Sequence, residues 1–156
     1  MKIQKHITVL EEQDIKIKEL TLLSEKEYLD AKENVPPTKG WWWWLRSPGD
    51  IRNYAAYVDV DGSLYGSRVD YDSGCVRPAL RISNLESSNL QIGDKFDLVG
   101  CVWTVISEGI ALCDNSVGKT CFREDWEAGD ANNYDASDIK KWLANWAEEH
   151  GIEVEP

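Results

Sequence analysis

The segment from Asp50 to Ser73 concentrates the side chains that a protein uses to bind a ligand. Tyrosine supplies rigid, amphipathic contact area at low entropic cost, whereas asparagine, aspartate and serine supply adaptable hydrogen bonds. We therefore predict a ligand-binding surface made by Trp41, Asn53, Tyr54, Tyr57, Asp59, Tyr65, Asp70, Tyr71 and Asp72. The alternative is that the segment forms ordinary hairpins whose outer faces are polar.

Residue types that carry out catalysis are poorly placed for it. His6 and His150 lie near opposite ends of the chain, and the motifs of serine hydrolases, zinc proteases and phosphate-binding loops do not occur. We expect no enzyme, no catalytic residue and no cofactor. Hydrolysis by a pair of carboxylates stays open as an alternative, because acidic residues are frequent throughout the chain.

Metal binding is also poorly supported. Asp59 to Gly62 is typical of half a calcium loop, but no glutamate stands at the twelfth position. The four cysteines form no Cys-x-x-Cys pair, which is poor spacing for zinc. We expect no metal site and four reduced, mostly buried thiols, with a Cys101–Cys113 or a Cys113–Cys121 disulfide as the alternative.

Four consecutive tryptophans, Trp41 to Trp44, precede the stretch Leu45-Arg46-Ser47-Pro48-Gly49. Alternate side chains of a strand point to opposite faces, so we expect one pair of rings to close the core beneath a helix. The other pair needs cover from a second layer, a partner or a ligand. We expect Arg46 and Arg77 to be buried arginines that hold loop carbonyls, a carboxylate or an indole ring.

The first half of the chain predicts short strands and one helix. Residues 6–24 indicate one or two strands with a polar turn near Glu11 to Asp14. Ser24 and Glu27 form a capping-box pattern at the start of a helix over residues 25–33. Asp61-Gly62 indicates a type I′ hairpin turn, and residues 74–82 indicate one strand that tolerates Pro78 only at an edge or a bulge.

The second half predicts a strand hairpin and a second helix. After a polar linker at residues 83–90, residues 93–106 indicate a hairpin, and residues 110–115 return beside it. Ile139, Trp142, Leu143 and Trp146 make one apolar helical stripe. We expect Ser137 or Asp135 to cap its start, Gly151 to follow its end, and residues 152–156 to add an edge strand.

Size and charge limit the class of protein. The 156 residues fit one domain, residues 1–156, and the order of elements indicates an α+β fold with short antiparallel or mixed strands, two helices and long ordered loops. The net charge of −11 disfavours nucleic acid as a ligand and fits plain solubility or a basic partner. No signal peptide or transmembrane run is evident, so we expect a cytoplasmic protein without membrane contact.

Several motifs resemble an uncharacterised domain family of Gram-positive gut bacteria and their phages. Residues 22–82 resemble the C-terminal half of that family through Leu23-Ser24-Glu25-Lys26-Glu27-Tyr28, Trp43-Trp44-Leu45-Arg46-Ser47-Pro48-Gly49, Ala55-Ala56-Tyr57-Val58, Asp61-Gly62-Ser63 and Val76-Arg77-Pro78-Ala79-Leu80. Residues 92–150 resemble its N-terminal half through residues 92–106, 110–115 and 132–146. The halves therefore stand in swapped order, which indicates a circular permutation or two half-domains that pair across chains as a homodimer.

The resemblance implies a C-type-lectin-like fold, similar to the variable ligand-binding proteins of diversity-generating retroelements. Trp41 is the extra tryptophan relative to the family motif, which makes it the ring that we expect to be exposed. The expected function is a non-enzymatic module that recognises a protein or a glycan. The alternative is an acidic, phage-encoded inhibitor of a host defence protein.

Overall fold

The computed structural model describes residues 1–5, 12–38 and 40–156, with only the backbone of Glu12 and Gln13. Its strands are β1 (Lys2–Lys5), β2 (Glu12–Asp14), β3 (Ile17–Thr21), β4 (Trp43–Pro48), β5 (Tyr54–Val58), β6 (Leu64–Arg68), β7 (Cys75–Val76), β8 (Ala79–Ile82), β9 (Lys95–Leu98), β10 (Cys101–Ser107), β11 (Ile110–Cys113) and β12 (Gly118–Lys119). Its helices are α1 (Glu25–Ala31) and α2 (Asp138–Glu149), and short 3-10 turns lie at Lys32–Asn34 and Tyr134–Ala136. The arrangement is of the α+β class, as the sequence predicted.

The larger sheet combines strands from both halves of the chain in the order β2-β1-β9-β10-β11-β8-β3. The β9–β10 hairpin turns at Val99 and Gly100, whose φ angles are 50° and 76°, as a type I′ turn requires. Strand β11 pairs antiparallel with β10. The three-stranded unit predicted for this region is therefore confirmed, and it forms the middle of the sheet.

The smaller sheet has the order β12-β7-β4-β5-β6, with β4 parallel to β7. The β5–β6 hairpin forms as predicted, but its turn differs from the predicted type. Only Gly62 has a positive φ, of 86°, and Gly62 N donates to Asp59 O at 2.9 Å while Asp59 N donates to Ser63 O at 2.8 Å. This is a three-residue loop that ends in a glycine bulge, because Asp61 keeps a negative φ.

The predicted strand over residues 74–82 is wrong as a single element. Strand β7 belongs to the smaller sheet and β8 to the larger one, and Arg77-Pro78 lies between them. Proline has no N–H to donate to a ladder, so it stands where the chain leaves one sheet for the other.

The C-terminal residues lie along β3, which is an edge strand of the larger sheet. The prediction of a polar turn near Glu11 to Asp14 is wrong for the described residues, because Glu12–Asp14 forms strand β2. His6 and Glu11 lie outside the described residues. Val154 bridges Ile17 in parallel, and Glu155 N donates to Ile17 O at 2.8 Å. The predicted edge strand at the C-terminus is thus a single bridge.

Both helices begin at the positions that their predicted N-cap residues indicate. Ser24 accepts from Glu27 N at 3.1 Å, and the Glu27 carboxylate accepts from Ser24 N at 2.8 Å. At α2 the cap is Ser137, which accepts from Lys140 N at 3.2 Å, and Gly151 follows the helix end with a φ of 71°. Ile139, Leu143 and Trp146 are buried and Trp142 is half-buried, so the predicted apolar stripe faces the core. Within the described residues, no helix has the length and apolar character needed to span a membrane.

Candidate functional site

The tryptophan run alternates between the two faces of β4. Trp44 is fully buried in the larger core cluster, which also contains Leu143 and Trp146 of α2. Its ring packs on Phe122 at 5.7 Å, and its indole N–H donates to Thr120 O at 2.9 Å. Trp43 is buried on the opposite face, edge-on to Tyr28 of α1 at 5.6 Å. The protein itself therefore covers both of these rings, one on each side of the sheet.

Four aromatic rings continue from Trp44 to the surface, and we call them the aromatic strip: Trp42, Tyr57, Tyr65 and Tyr71. The Trp42 ring lies 4.8 Å from Trp44, 4.5 Å from Tyr57 and 5.8 Å from Tyr71. Tyr57 lies 6.0 Å from Tyr65, its partner across the β5–β6 ladder. Tyr65 and Tyr71 are 53% and 54% exposed, so the strip presents aromatic surface to solvent from a fixed base.

The close approach of the strip to the core depends on Gly74. A Cβ atom on this residue would lie 2.2 Å from Trp44 Nε1 and 2.8 Å from Trp42 Cη2. Any side chain there would displace one of the two rings. Gly74 thus lets two tryptophans pack against the backbone that leads into β7.

Electrostatics keep the centre of the strip neutral and give it an acidic border. Burial raises the pKa of the Tyr57 hydroxyl, and the Asp59 carboxylate and Tyr65 raise it further. Tyr57 therefore stays protonated at neutral pH and can donate a hydrogen bond. Asp72 is exposed next to Tyr71 in the chain.

The structure brings together only part of the predicted surface. Tyr57, Tyr65 and Tyr71 meet in the strip, whereas Tyr54 has the opposite strand parity from Tyr57 and lies beside Pro48 and Ile51. Trp42 was not included in the predicted binding surface. Its position two residues before buried Trp44, on the same face of the strand, could have identified it.

The other predicted residues do not take part in the ring contacts of the strip. Asp70 forms a two-bonded ion pair with Arg68, each bond 2.8 Å long, and Asn53 O accepts from Val69 N at 2.8 Å. Trp41 is 49% exposed, and Lys119 Nζ lies 5.6 Å from its ring centroid. Trp41 is therefore the exposed tryptophan, as expected.

Two arginines hold the loops around the sheet. Arg46 Nη1 donates to Leu22 O at 2.6 Å and also bonds the Glu27 carboxylate. Arg77 is 1% exposed and donates to the backbone oxygens of Cys113, Pro36 and Asp114. Its guanidinium also stacks 5.0 Å from the Trp43 ring. Both arginines have the structural contacts that the sequence predicted, but only Arg77 is buried, whereas Arg46 is half-buried.

The four cysteines are all free thiols. Cys75, Cys113 and Cys121 are buried, and Cys101 is half-buried. Burial raises the pKa of Cys113 to about 12, so its thiol is protonated and unreactive at neutral pH. Among the described residues, no group of three His, Cys, Asp or Glu side chains is placed to hold a metal ion.

Comparison with known proteins gives one result. The model of a family described as Domain of unknown function (DUF6273) matches residues 6–84, about half of the chain. The chain belongs to this family. The residues that match DUF6273 include α1, the tryptophan run and the strip, and they end just after β8. No curated protein and no solved structure matches the chain.

Proposed function

We propose that this chain is a ligand-binding module without catalytic activity, and that it recognises a protein or a glycan through the aromatic strip and the polar loops beside it. The observation that carries the proposal is the continuous contact from buried Trp44 through Trp42 and Tyr57 to the exposed rings of Tyr65 and Tyr71. A rigid base holds these rings in place before a ligand arrives, which lowers the entropic cost of binding.

The strip offers enough area to matter energetically. A ligand that covers about 200 Å² of additional apolar surface would gain roughly 5 kcal/mol at about 25 cal/mol per Å². Part of this gain offsets the freedom lost on association. The remainder supports a modest affinity that further polar contacts would raise.

A protein ligand is favoured by residue type and charge. Tyrosine and tryptophan are enriched at the centres of protein interfaces, with polar residues at the rim. Asp59, Asp70 and Asp72 lie near the strip in the chain, and the net charge of −11 favours a partner with a basic rim. A glycan would use the same rings for stacking and the same carboxylates as acceptors from its hydroxyl groups.

The family resemblance adds a fold type, a source and an order of the two halves to this proposal. We propose a C-type-lectin-like fold, a cytoplasmic protein of Gram-positive gut bacteria or their phages, and a permuted order of the two halves in one domain or across a homodimer. Strands β9–β11 of the second half lie between β1 and β8 of the first half, so the two halves share one sheet, as a permuted single domain would require.

An acidic inhibitor encoded by a phage is the second candidate function. The segment that leads into α2 favours it, because a dense set of carboxylates lies between residue 124 and the first residue of the helix: Glu124, Asp125, Glu127, Asp130, Asp135 and Asp138. Such a surface would occupy a basic groove on a host defence protein through long-range attraction.

The test compares two double variants of the tagged full chain. Tyr65→Ala/Tyr71→Ala removes the exposed ends of the strip and leaves the buried rings in place. Tyr54→Ala/Ile51→Ala removes apolar area of similar size away from the strip and is the matched control. Each is used in a pull-down from host lysate with mass spectrometry and on a glycan array.

We expect the wild type and the control to retain one protein or one glycan class that the strip variant loses. Equal capture by all three forms would refute the proposal. Raising the salt from about 50 to 500 mM separates the two candidate functions, because screening abolishes binding through exposed charges and leaves ring contacts largely intact.

A further inference from the structure

A cavity lies on the other side of the smaller sheet from the aromatic strip. It has a volume of about 240 Å³, and its walls come from the end of α1, residues 35–38, Trp43 of β4 and the β5–β6 turn. Trp43 has the opposite strand parity from Trp42, so the cavity and the strip do not share a tryptophan. The cavity would therefore hold its ligand against a different aromatic ring from those of the strip, although Asp59 lies near both.

Arg77 lines this cavity with one nitrogen uncommitted. Its Nε donates to Cys113 O at 2.7 Å, and its Nη2 donates to Pro36 O at 2.7 Å and Asp114 O at 3.1 Å. Its Nη1 has no hydrogen-bond acceptor among the described residues, although the side chain is only 1% exposed. Buried donors are normally paired, so the free end of this guanidinium indicates a missing acceptor.

Trp43 supplies a second donor of the same kind. Its ring lines the cavity and is 3% exposed, yet its indole N–H has no acceptor in the described part of the chain. The two tryptophans with no exposed surface are satisfied, because Trp44 donates to Thr120 O and Trp103 donates to Leu98 O. Trp146, which is 7% exposed, resembles Trp43 in having no acceptor for its indole N–H among the described residues. Two buried donors without acceptors thus belong to one cavity.

The charged side chains that line the cavity are two cations, Lys32 and Arg77, and two carboxylates, Asp59 and Asp61, so an anion is attracted where it meets the free end of Arg77. Lys32 lines the opening and forms no close ion pair within the described chain, although its charge helps to lower the pKa of Asp61. Asp59 and Asp61 also line the cavity, but each accepts a backbone N–H, from Val60 at 2.8 Å and from Ser63 at 2.9 Å. Both carboxylates repel any anion, and they repel a doubly charged group such as phosphate about twice as strongly as a monocarboxylate.

The walls between these groups are apolar. Val35, Pro36, Pro37 and Val58 line the cavity together with the Trp43 ring. They suit a short hydrocarbon body rather than a sugar or a nucleotide. The cavity thus combines donors for one anion with an apolar space of limited volume.

We infer that this cavity binds a small monocarboxylate with a short, branched apolar body. The carboxylate would accept from Arg77 Nη1 and from the indole N–H of Trp43, and Lys32 would balance its charge at the opening. The hydrocarbon body would contact Val35 and Val58. The ligand source is either a free carboxylic acid or the C-terminal carboxylate of a peptide that ends in an apolar residue.

The test is an NMR titration of the ¹⁵N-labelled full chain at constant ionic strength. The probes are isovalerate, its uncharged analogue isovaleramide, inorganic phosphate and a tripeptide that ends in valine. We expect isovalerate to shift the Trp43 indole resonance saturably below about 20 mM. We expect isovaleramide and phosphate to shift it at least tenfold less at the same concentration. The Trp142 indole, which packs on Gly118 elsewhere, is the control within the same sample.

The tripeptide distinguishes the two sources. If the tripeptide binds more tightly than isovalerate, the ligand is a peptide C-terminus; if it binds more weakly, the ligand is a free acid. An unmoved Trp43 resonance with both carboxylates, or an equal response to isovaleramide or phosphate, would overturn the inference.

The variants leave the buried network intact. Lys32→Gln removes the exposed charge at the opening, and we expect affinity for isovalerate to fall about threefold to fivefold. Lys26→Gln is the matched control, because Lys26 lies in α1, outside the cavity, and pairs with Asp30 at 2.9 Å. It should leave the affinity for isovalerate unchanged. Val35→Phe would fill the cavity and abolish the shift. Retained binding in Val35→Phe would show that the probe binds elsewhere and would overturn the proposed site.

Discussion

Replacing Gly74 by alanine tests how tightly the tryptophan run is packed. The added methyl group would lie 2.2 Å from Trp44 Nε1 and 2.6 Å from Trp44 Cε2, whereas ordinary contact begins near 3.4 Å. Trp44 cannot retreat easily, because it is fully buried and packs on Phe122. The ring must move by about 1 Å or the backbone of β7 must shift.

Three effects decide the size of the change in the free energy of unfolding. Overpacking a well-packed core costs about 1–3 kcal/mol. Moving the ring breaks the bond from Trp44 Nε1 to Thr120 O, and a buried donor left unpaired costs about 1–3 kcal/mol. Alanine stiffens the unfolded chain, which restores about 0.4–1 kcal/mol. The net expectation is a loss of about 3 kcal/mol, a large part of the roughly 5–15 kcal/mol typical of a domain.

The assay is urea unfolding at 25 °C, followed by circular dichroism and by tryptophan fluorescence. Gly129→Ala is the matched control, because a Cβ there would meet no atom within 4 Å. A loss of about 3 kcal/mol should also lower Tm by roughly 6–12 °C. If Gly74→Ala and Gly129→Ala both stay within about 0.5 kcal/mol of the wild type, the packing described for Trp42 and Trp44 is refuted.

Two further predictions concern pH and thiol chemistry. Burial alone would raise the pKa of Glu27, but bonds from Arg46 and Ser24 and the charge of Arg81 hold it below its usual value of 4.5. The ionised form is therefore favoured by folding, so Glu27 stabilises the fold above about pH 4.5 and loses this contribution as pH falls through its lowered pKa. The difference in unfolding free energy between the wild type and Glu27→Gln should be largest near pH 6 and shrink toward pH 3; a difference independent of pH would contradict the ion-pair role. Burial raises the pKa values of Cys101, Cys113 and Cys121, so a thiol reagent at pH 8 should modify the native chain slowly and all four cysteines rapidly in denaturant; several fast thiols in the native chain would contradict their burial.

Local signals in the sequence predicted those elements whose stabilising contacts are also local. The capping pair Ser24 and Glu27 and the hairpin predicted within residues 93–106 each depend on contacts between residues close in the chain. The pattern of α2 was equally informative, because its apolar stripe needs only a core on one side. These elements formed as predicted, with helix ends within a residue or two.

The features that the sequence did not predict depend on distant partners. Trp44 is covered by residues that lie 76 positions away in the chain, at Thr120 and its neighbours, and this cover ends before Trp42. No local pattern indicates which tryptophan rings the rest of the fold buries. Trp42 was therefore left out of the predicted binding surface, and Tyr54 was grouped with Tyr57. The division of residues 75–82 between two sheets is likewise a property of the whole fold, and Pro78 only hinted at it.

The strand order of the larger sheet has a consequence for synthesis on the ribosome. When residue 82 has left the exit tunnel, β1 and β8 can pair with β2 and β3, but their inner edges face nothing until β9 and β11 emerge. Unpaired strand edges recruit other chains, so the nascent first half is the aggregation-prone species of this protein. A pause in translation before residue 113 would leave the inner edges of β1 and β8 exposed for longer. Rapid synthesis of β9, β10 and β11 would cover them.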